Sequence, residues 1–207
     1  MRQGLAAIPA WCTIAVPRAG APEPLKMALS ATIYTFGITL NDADRSVYEA
    51  LDFRIARHPS ESPEYLVARV LAYCLQYRDG LAFSKGLSDA DVPALTVHDM
   101  TGLLTSWIEV GTPEAPRLHK AAKTAGRVVV YPHKDAAAWL ARLAAESIHR
   151  AREIEIYAID RELLAALATC LQRRMQFDLA ISEQHLYLTL AAQSLDGAVV
   201  RHVLDNK

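Results

Sequence analysis

Apolar positions recur along this chain with two different periods. Ala31–Leu40 (ATIYTFGITL) is rich in β-branched and aromatic residues, and Ala50–Ala56 (ALDFRIA) alternates apolar with polar. Together they predict two paired strands around a turn or helix start at Asn41–Asp44. The period then lengthens. Ser62 followed by Pro63 is an N-cap and first-turn signal, and Leu66, Val67, Val70, Leu71, Cys74 and Leu75 form one helical face, so a helix is expected to about Tyr77. Leu95–Val97 and Leu103–Val110 read as strands joined by a turn at His98–Gly102, and Gly111-Thr112-Pro113 ends the second. A helix over Pro116–Ala125 follows, then the continuously apolar strand Arg127–Tyr131 (RVVVY), of the kind buried on both faces. The remaining pattern predicts a helix at Ala136–Ala151, a strand at Glu153–Ile159 and a helix at Asp160–Leu171 capped by Asp160. A hairpin of Met175–Ile181 and His185–Ala191 turns at Ser182–Gln184, and Ser194–Lys207 has no assignable pattern. An early hairpin followed by strand–helix alternation indicates an α/β domain with a mixed sheet flanked by helices.

Residues 1–26 stand apart, with four prolines and no sustained period. A secretory-signal reading rests on Arg2, the apolar stretch Leu5–Val16 and the small residues Ala19-Gly20-Ala21. Pro9 breaks that stretch, which favours a disordered extension ahead of a single domain over 27–207, with Met27 opening the strand pattern. No stretch is long enough to span a bilayer. Formal net charge is −1, which leaves only a local surface for nucleic acid. Cys12, Cys74 and Cys170 form neither a CxxC pair nor an even framework, so a reducing, cytoplasmic setting is the expectation. Glycine-rich phosphate loops, dinucleotide fingerprints and a GxSxG elbow are absent, so no nucleotide cofactor is expected, and the seven histidines do not fall at zinc spacing.

What remains is a set of charges. Trp107 and Glu109 share one face of their strand, and Ile108 and Val110 the other. A carboxylate packed beside Trp107 needs a cation or metal at hand. Asp99 lies in the preceding turn, and Arg117, His119, Lys120 and Lys123 lie on the following helix; with Arg127 they are the candidate basic surface. Two carboxylates and a lysine suit metal-assisted phosphodiester hydrolysis, because Mg²⁺ takes hard oxygen ligands and activates water. The same residues also suit a turn-capping Asp, a salt-bridged strand Glu and a solvated helix face. Glu61 and Glu64 at the start of the first helix offset its dipole, or add a carboxylate to the site. Arg69 is either a phosphate or carboxylate partner or a snorkelling side chain. Asp89 and Asp91 read as a turn before Pro93, and Arg173-Arg174 as a helix C-terminal pair.

Several segments resemble the YaeQ family: MALSATIYT (Met27–Thr35), ARHPSE (Ala56–Glu61) with Arg69-Val70-Leu71-Ala72, GLAFSKG (Gly80–Gly86), and above all Trp107-Ile108-Glu109-Val110-Gly111 with Pro113 and Lys120-Ala121. That family is similar in fold to the PD-(D/E)XK, restriction-endonuclease-like superfamily. The resemblance implies a Mg²⁺-dependent nuclease in which Asp99, Glu109 and the Val110 carbonyl hold metal, Lys120 assists and Glu61 supports a second ion or water. Gly111 stands where such an enzyme places its lysine. The alternative is a regulatory or nucleic-acid- or protein-binding module on the same fold without turnover. Substrate, metal preference and oligomeric state are not specified by the sequence.

Overall fold

The structure is a computed structural model and describes residues 31–84 and 92–204. The first 26 residues and the Asp89/Asp91 turn therefore lie outside the described residues. The strand patterns assemble into one large sheet of ten strands in the order β2-β1-β8-β9-β10-β7-β6-β5-β4-β3. Its first hairpin joins β1 (Thr32–Asp42) to β2 (Val47–Arg57) in antiparallel register. Next come α1 (Pro63–Leu75), the short β3 (Leu81–Phe83), β4 (Leu95–His98) and β5 (Leu104–Val110), the three strands pairing antiparallel in turn. Helix α2 (Ala115–Thr124) carries the chain to β6 (Arg127–Tyr131), and α3 (Ala136–Leu143) carries it to β7 (Glu155–Ile159); β5, β6 and β7 run parallel. Finally α4 (Arg161–Thr169) leads to β8 (Arg174–Ser182), β9 (His185–Thr189) and β10 (Ser194–His202).

The fold is mixed α/β, and the sheet is barrel-like, curling around α1. Every residue from Leu66 to Ala72 is buried, as is Cys74, which is what an apolar helix enclosed on all sides requires. Leu66, Val70 and Leu71 meet inward residues of the sheet such as Phe36, Leu179 and Ile108, together with Leu164 and Leu167 of α4. The two edge strands approach each other through an aromatic cluster. Phe53 of β2 lies 5.2 Å from Phe83 of β3, and Tyr73 of α1 packs against both, at 4.8 and 4.5 Å between centroids. A second core on the outer face of β5–β6–β7 holds α2 and α3 through Trp107, Leu118, Val130, Trp139 and Ile156.

Local signals account for most boundaries. The Ser62 hydroxyl accepts the Tyr65 N–H at 3.2 Å, and Asp160 accepts from Glu162 and Leu163. Arg45 closes the β1–β2 turn on Asp42 at 2.7 Å and donates to the Cys74 and Tyr77 carbonyls, satisfying the open end of α1. Three elements differ from expectation. The helix predicted to Ala151 stops at Leu143, because Ile148 and Ala151 are drawn into the second core and Arg150 turns the chain at φ +51°. β3 is three residues long and was not signalled. The unassigned tail forms β10, in the middle of the sheet between β9 and β7. Among the described residues no helix is long and apolar enough to cross a membrane. Cys74 is buried, with its thiol pushed up to about 12 by that burial, and Cys170 is partly exposed; neither is in a disulfide.

Candidate functional site

The antiparallel register of β4 and β5 decides which residues meet at the end of β5. Leu95 lies opposite Ile108, so the start of β4 is beside Glu109 and the β4–β5 turn is at the far end. Asp99 sits in that turn. At about 3.3 Å per extended residue, the stretch from Leu103 to Glu109 separates them by on the order of 20 Å. The Asp99 carboxylate is exposed and accepts from the Thr101 hydroxyl at 2.6 Å and from the Thr101 and Leu103 N–H groups, and these bonds hold it below the usual carboxylate range. It is a turn-capping residue, and the structure does not bring it to Glu109.

Glu109 is 4% exposed and points with Trp107 toward α2. Its Oε1 accepts the Trp107 indole N–H at 2.7 Å and the Arg117 Nε–H at 2.6 Å. Arg117 also donates to the Val92 carbonyl at 2.9 Å, and its guanidinium lies 5.9 Å from the Trp107 ring centroid. Helix α2 begins at Ala115 with Pro116 in its first turn, so its third residue falls over the strand end. The cation against Glu109 is therefore Arg117; Lys120 stands one turn further along, on the exposed side of α2. Lys123 is likewise exposed. Arg127 is not part of that surface: it forms a two-bond pair with Glu155 at 2.6 and 2.7 Å and donates to Gln76.

Glu61 is also held by an arginine. Arg69, 2% exposed, donates from Nη1 to Glu61 Oε1 at 2.8 Å and to the Ala56 carbonyl at 3.4 Å, and packs 5.7 Å from the Phe83 ring. The His58 N–H reaches the other Glu61 oxygen at 3.1 Å. Burial pushes the Glu61 carboxyl above its usual range against the pull of Arg69 and His58. Glu64 is a first-turn carboxylate held low by the N–H and hydroxyl groups of the helix start.

Of these residues, Arg69, Glu109 and Arg117 border a cleft of about 370 Å³ at the carboxyl end of β5, the end at which open α/β sheets bind ligands. Tyr65 and Arg69, one helical turn apart on α1, form one wall; Val110 to Pro113, with Glu109 and Arg117, form another; His133, just beyond β6, closes it. Two of its polar atoms are buried without a hydrogen-bond partner: Arg69 Nε and His133 Nδ1. His133 meets the Tyr65 ring edge-on at 5.2 Å. Burial, aided by Lys134 and opposed by Glu64, lowers the His133 pKa, and burial raises the Tyr65 hydroxyl to about 12. Gly111 has φ +118°, a conformation L side chains rarely adopt, so the backbone itself disfavours a lysine there. Tyr65 and His133 were not signalled by spacing; the only trace was His133 at the end of an apolar strand.

A carboxylate-held Mg²⁺ would need free carboxylate oxygens converging on one point. Glu61 and Glu109 are each engaged by an arginine and Asp99 is remote. Among the described residues no group of three or more His, Cys, Asp or Glu side chains could hold a metal ion. This donor set does not fit the metal.

Comparison with known proteins gives one consistent answer. A family model described as "YaeQ protein" matches residues 27–198. The chain is 29% identical over 165 residues to "Uncharacterized protein YaeQ" of Escherichia coli (strain K12), covering 79% of this chain and 91% of that protein. It is similar to the crystal structure of the YaeQ protein from Xanthomonas axonopodis pv. citri, with TM-score 0.78 and 30% identity over 84% of this chain and 99% of that one. The YaeQ protein of Pseudomonas syringae gives TM-score 0.76 and 33% identity, over 83% and 95% of the two chains.

Proposed function

This chain belongs to the YaeQ family, and from that premise we propose that it is a nucleic-acid-binding module whose cleft at the end of β5 receives a backbone phosphate. The observation that carries the reading is the pair of buried, unpartnered nitrogens, Arg69 Nε and His133 Nδ1, in one cleft. A buried donor left unmade costs about 1–3 kcal/mol, and a phosphate oxygen is the acceptor that recovers it. Both atoms are covered in the free protein, so binding on this reading requires the side chains to shift. Lys120 and Lys123 on the exposed side of α2 supply sequence-independent attraction to the backbone.

We further propose that the sheet and its helices contain a restriction-endonuclease-like PD-(D/E)XK core. Its support is Glu109 on a strand beside β4 in a mixed sheet, with α1 on one face and α2 on the other. The second reading is phosphodiester hydrolysis at this cleft, without a metal held by the described carboxylates; one observation favours it, a buried carboxylate, Glu109, at the strand end that lines the cleft.

Fluorescence anisotropy with labelled single-stranded DNA, duplex DNA and RNA at low salt tests the proposal. Arg69→Lys keeps the charge beside Glu61 but removes the Nε–H, and His133→Phe removes the other nitrogen. Each is expected to weaken binding roughly tenfold. Failure of the wild-type chain to bind, or binding indifferent to both substitutions, overturns the proposal. Cleavage that is lost in Glu109→Gln replaces it with the hydrolytic reading.

A further inference from the structure

The outer face of β2–β1–β8 carries a groove of about 860 Å³, separate in its lining residues from the cleft at the end of β5. Its floor is made by sheet register. Thr35 of β1 lies directly opposite Arg54 of β2 on one side and Arg174 of β8 on the other, so the three side chains stand in a row across the strands. At about 4.8 Å between strands, the two arginine Cα atoms are roughly 10 Å apart. The next outward row is Asp52, Gly37 and Gln176. The turn between β9 and β10 and the segment after α4 form a rim, joined by a contact of 2.6 Å from Gln193 Nε2 to Cys170 Sγ.

Gly37 is the unexplained residue of this face. Glycine in the middle of a strand weakens it, and it is kept where a turn, a tight packing contact or a ligand requires it. Gly37 lies in ordinary extended backbone within β1, and a Cβ there would meet only the flexible Gln176 side chain, at 3.4 Å. Neither strain nor packing demands glycine, so its effect is to leave the floor open beside the arginine row, between Asp52 and Gln176. Arg54 and Arg174 are both exposed, and neither forms an ion pair among the described residues, although Asp52 is on the same face.

We propose that this groove is a second binding site, for a ligand carrying more than one phosphate group, gripped by Arg54 and Arg174 over the floor at Thr35 and Gly37. Guanidinium pairs recognise phosphate oxygens through charge-assisted hydrogen bonds, and the glutamines at the rim add neutral donors. The groove's lining includes no aromatic side chain on which a base could stack, so recognition is of phosphate rather than of base. The phosphates come either from a nucleic-acid strand or from a free nucleoside triphosphate.

Isothermal titration of the full chain with ATP, with a ten-residue oligothymidylate and with inorganic phosphate separates these sources. The paired substitution Arg54→Gln/Arg174→Gln is expected to weaken ATP or oligonucleotide binding at least tenfold, with inorganic phosphate weak throughout. Gly37→Thr introduces a strand-favouring residue, so it leaves the melting temperature unchanged or raised while weakening binding by a similar factor. No binding of ATP or the oligonucleotide, or binding indifferent to all three groove substitutions, overturns the proposal. His133→Phe distinguishes the two sites: binding lost there but kept in the groove variants leaves the cleft reading standing and removes this one, and the converse removes the cleft reading.

Discussion

Replacing Arg69 by Met removes a guanidinium from a site where its partner stays buried. Arg69 and Glu61 are 2% and 3% exposed and meet at 2.8 Å. Breaking such a pair by deleting one member costs about 3–5 kcal/mol, because the remaining charge is left uncompensated. At about 2–4 °C per kcal/mol for a chain of this size, the melting temperature should fall by roughly 10 °C. The loss should also depend on pH. The Glu61 carboxyl is already raised by burial, and without Arg69 it rises further above its unfolded value. A carboxyl raised in the folded state favours folding while protonated, below its unfolded pKa, and that contribution is lost as pH rises through the folded pKa. The Arg69→Met penalty should therefore grow from pH 5 to pH 7 by up to ~1.4 kcal/mol per unit. Glu61→Gln/Arg69→Met keeps an acceptor for the His58 N–H and removes the stranded charge, so it should recover most of the loss. Urea unfolding of the four proteins of the cycle at both pH values, with constant slope, measures each quantity. A penalty below about 1 kcal/mol at pH 7, or one independent of pH, would refute the buried-pair argument.

Three further outcomes follow from other parts of the molecule. Gly111→Ala meets no atom closer than 3.7 Å, so its cost of about 1–3 kcal/mol should come from backbone strain alone and appear as a lowered denaturation midpoint. Asp44→Ala removes the acceptor of the Glu183 and Gln184 N–H groups, at 2.7 and 2.9 Å; these residues turn the β8–β9 hairpin at φ +52° and +58°. The loss should be about 1–2 kcal/mol, with faster amide exchange confined to that hairpin. His133 is depressed below its ordinary pKa, so its stability contribution is complete above about 6.5 and is lost as pH falls through the lower folded value. The stability of wild type relative to His133→Phe should therefore decline on acidification through that window, and a parallel pH profile in the two proteins would contradict it.

Most of the scaffold was legible because its signals are local. Ser62-Pro63, Asp160 and the run RVVVY each carry their own start or strand signature, and each stands where expected. What was hidden depends on partners distant in sequence. β10 contains Gly197, a weak strand residue on its own. Its absent side chain lets the strand pass α4, where a Cβ would come within 2.8 Å of Leu163 and 2.9 Å of Asp160. The site was legible only in part. Glu109 with Trp107 on one strand face could be read from the period of two, but the identity of its cation could not: α2 begins early enough to place Arg117 over the strand, with Lys120 a turn beyond. The position of Asp99 could have been read from hairpin geometry, since a residue in the turn is at the opposite end of the strand from the residue that closes it. Tyr65 and His133 join the cleft only through the curling of the sheet around α1, which no periodicity records.

The central claim, that the cleft's unpartnered nitrogens await a phosphate, is tested most directly by nitrogen–proton NMR of the arginine Nε–H groups. The Arg69 signal can be identified by its disappearance in Arg69→Lys. On titration with a ten-residue oligonucleotide this signal should shift saturably, together with the His133 ring signals, at the concentration where anisotropy reports binding. An Arg69 Nε–H that stays in place while the oligonucleotide binds would contradict the account.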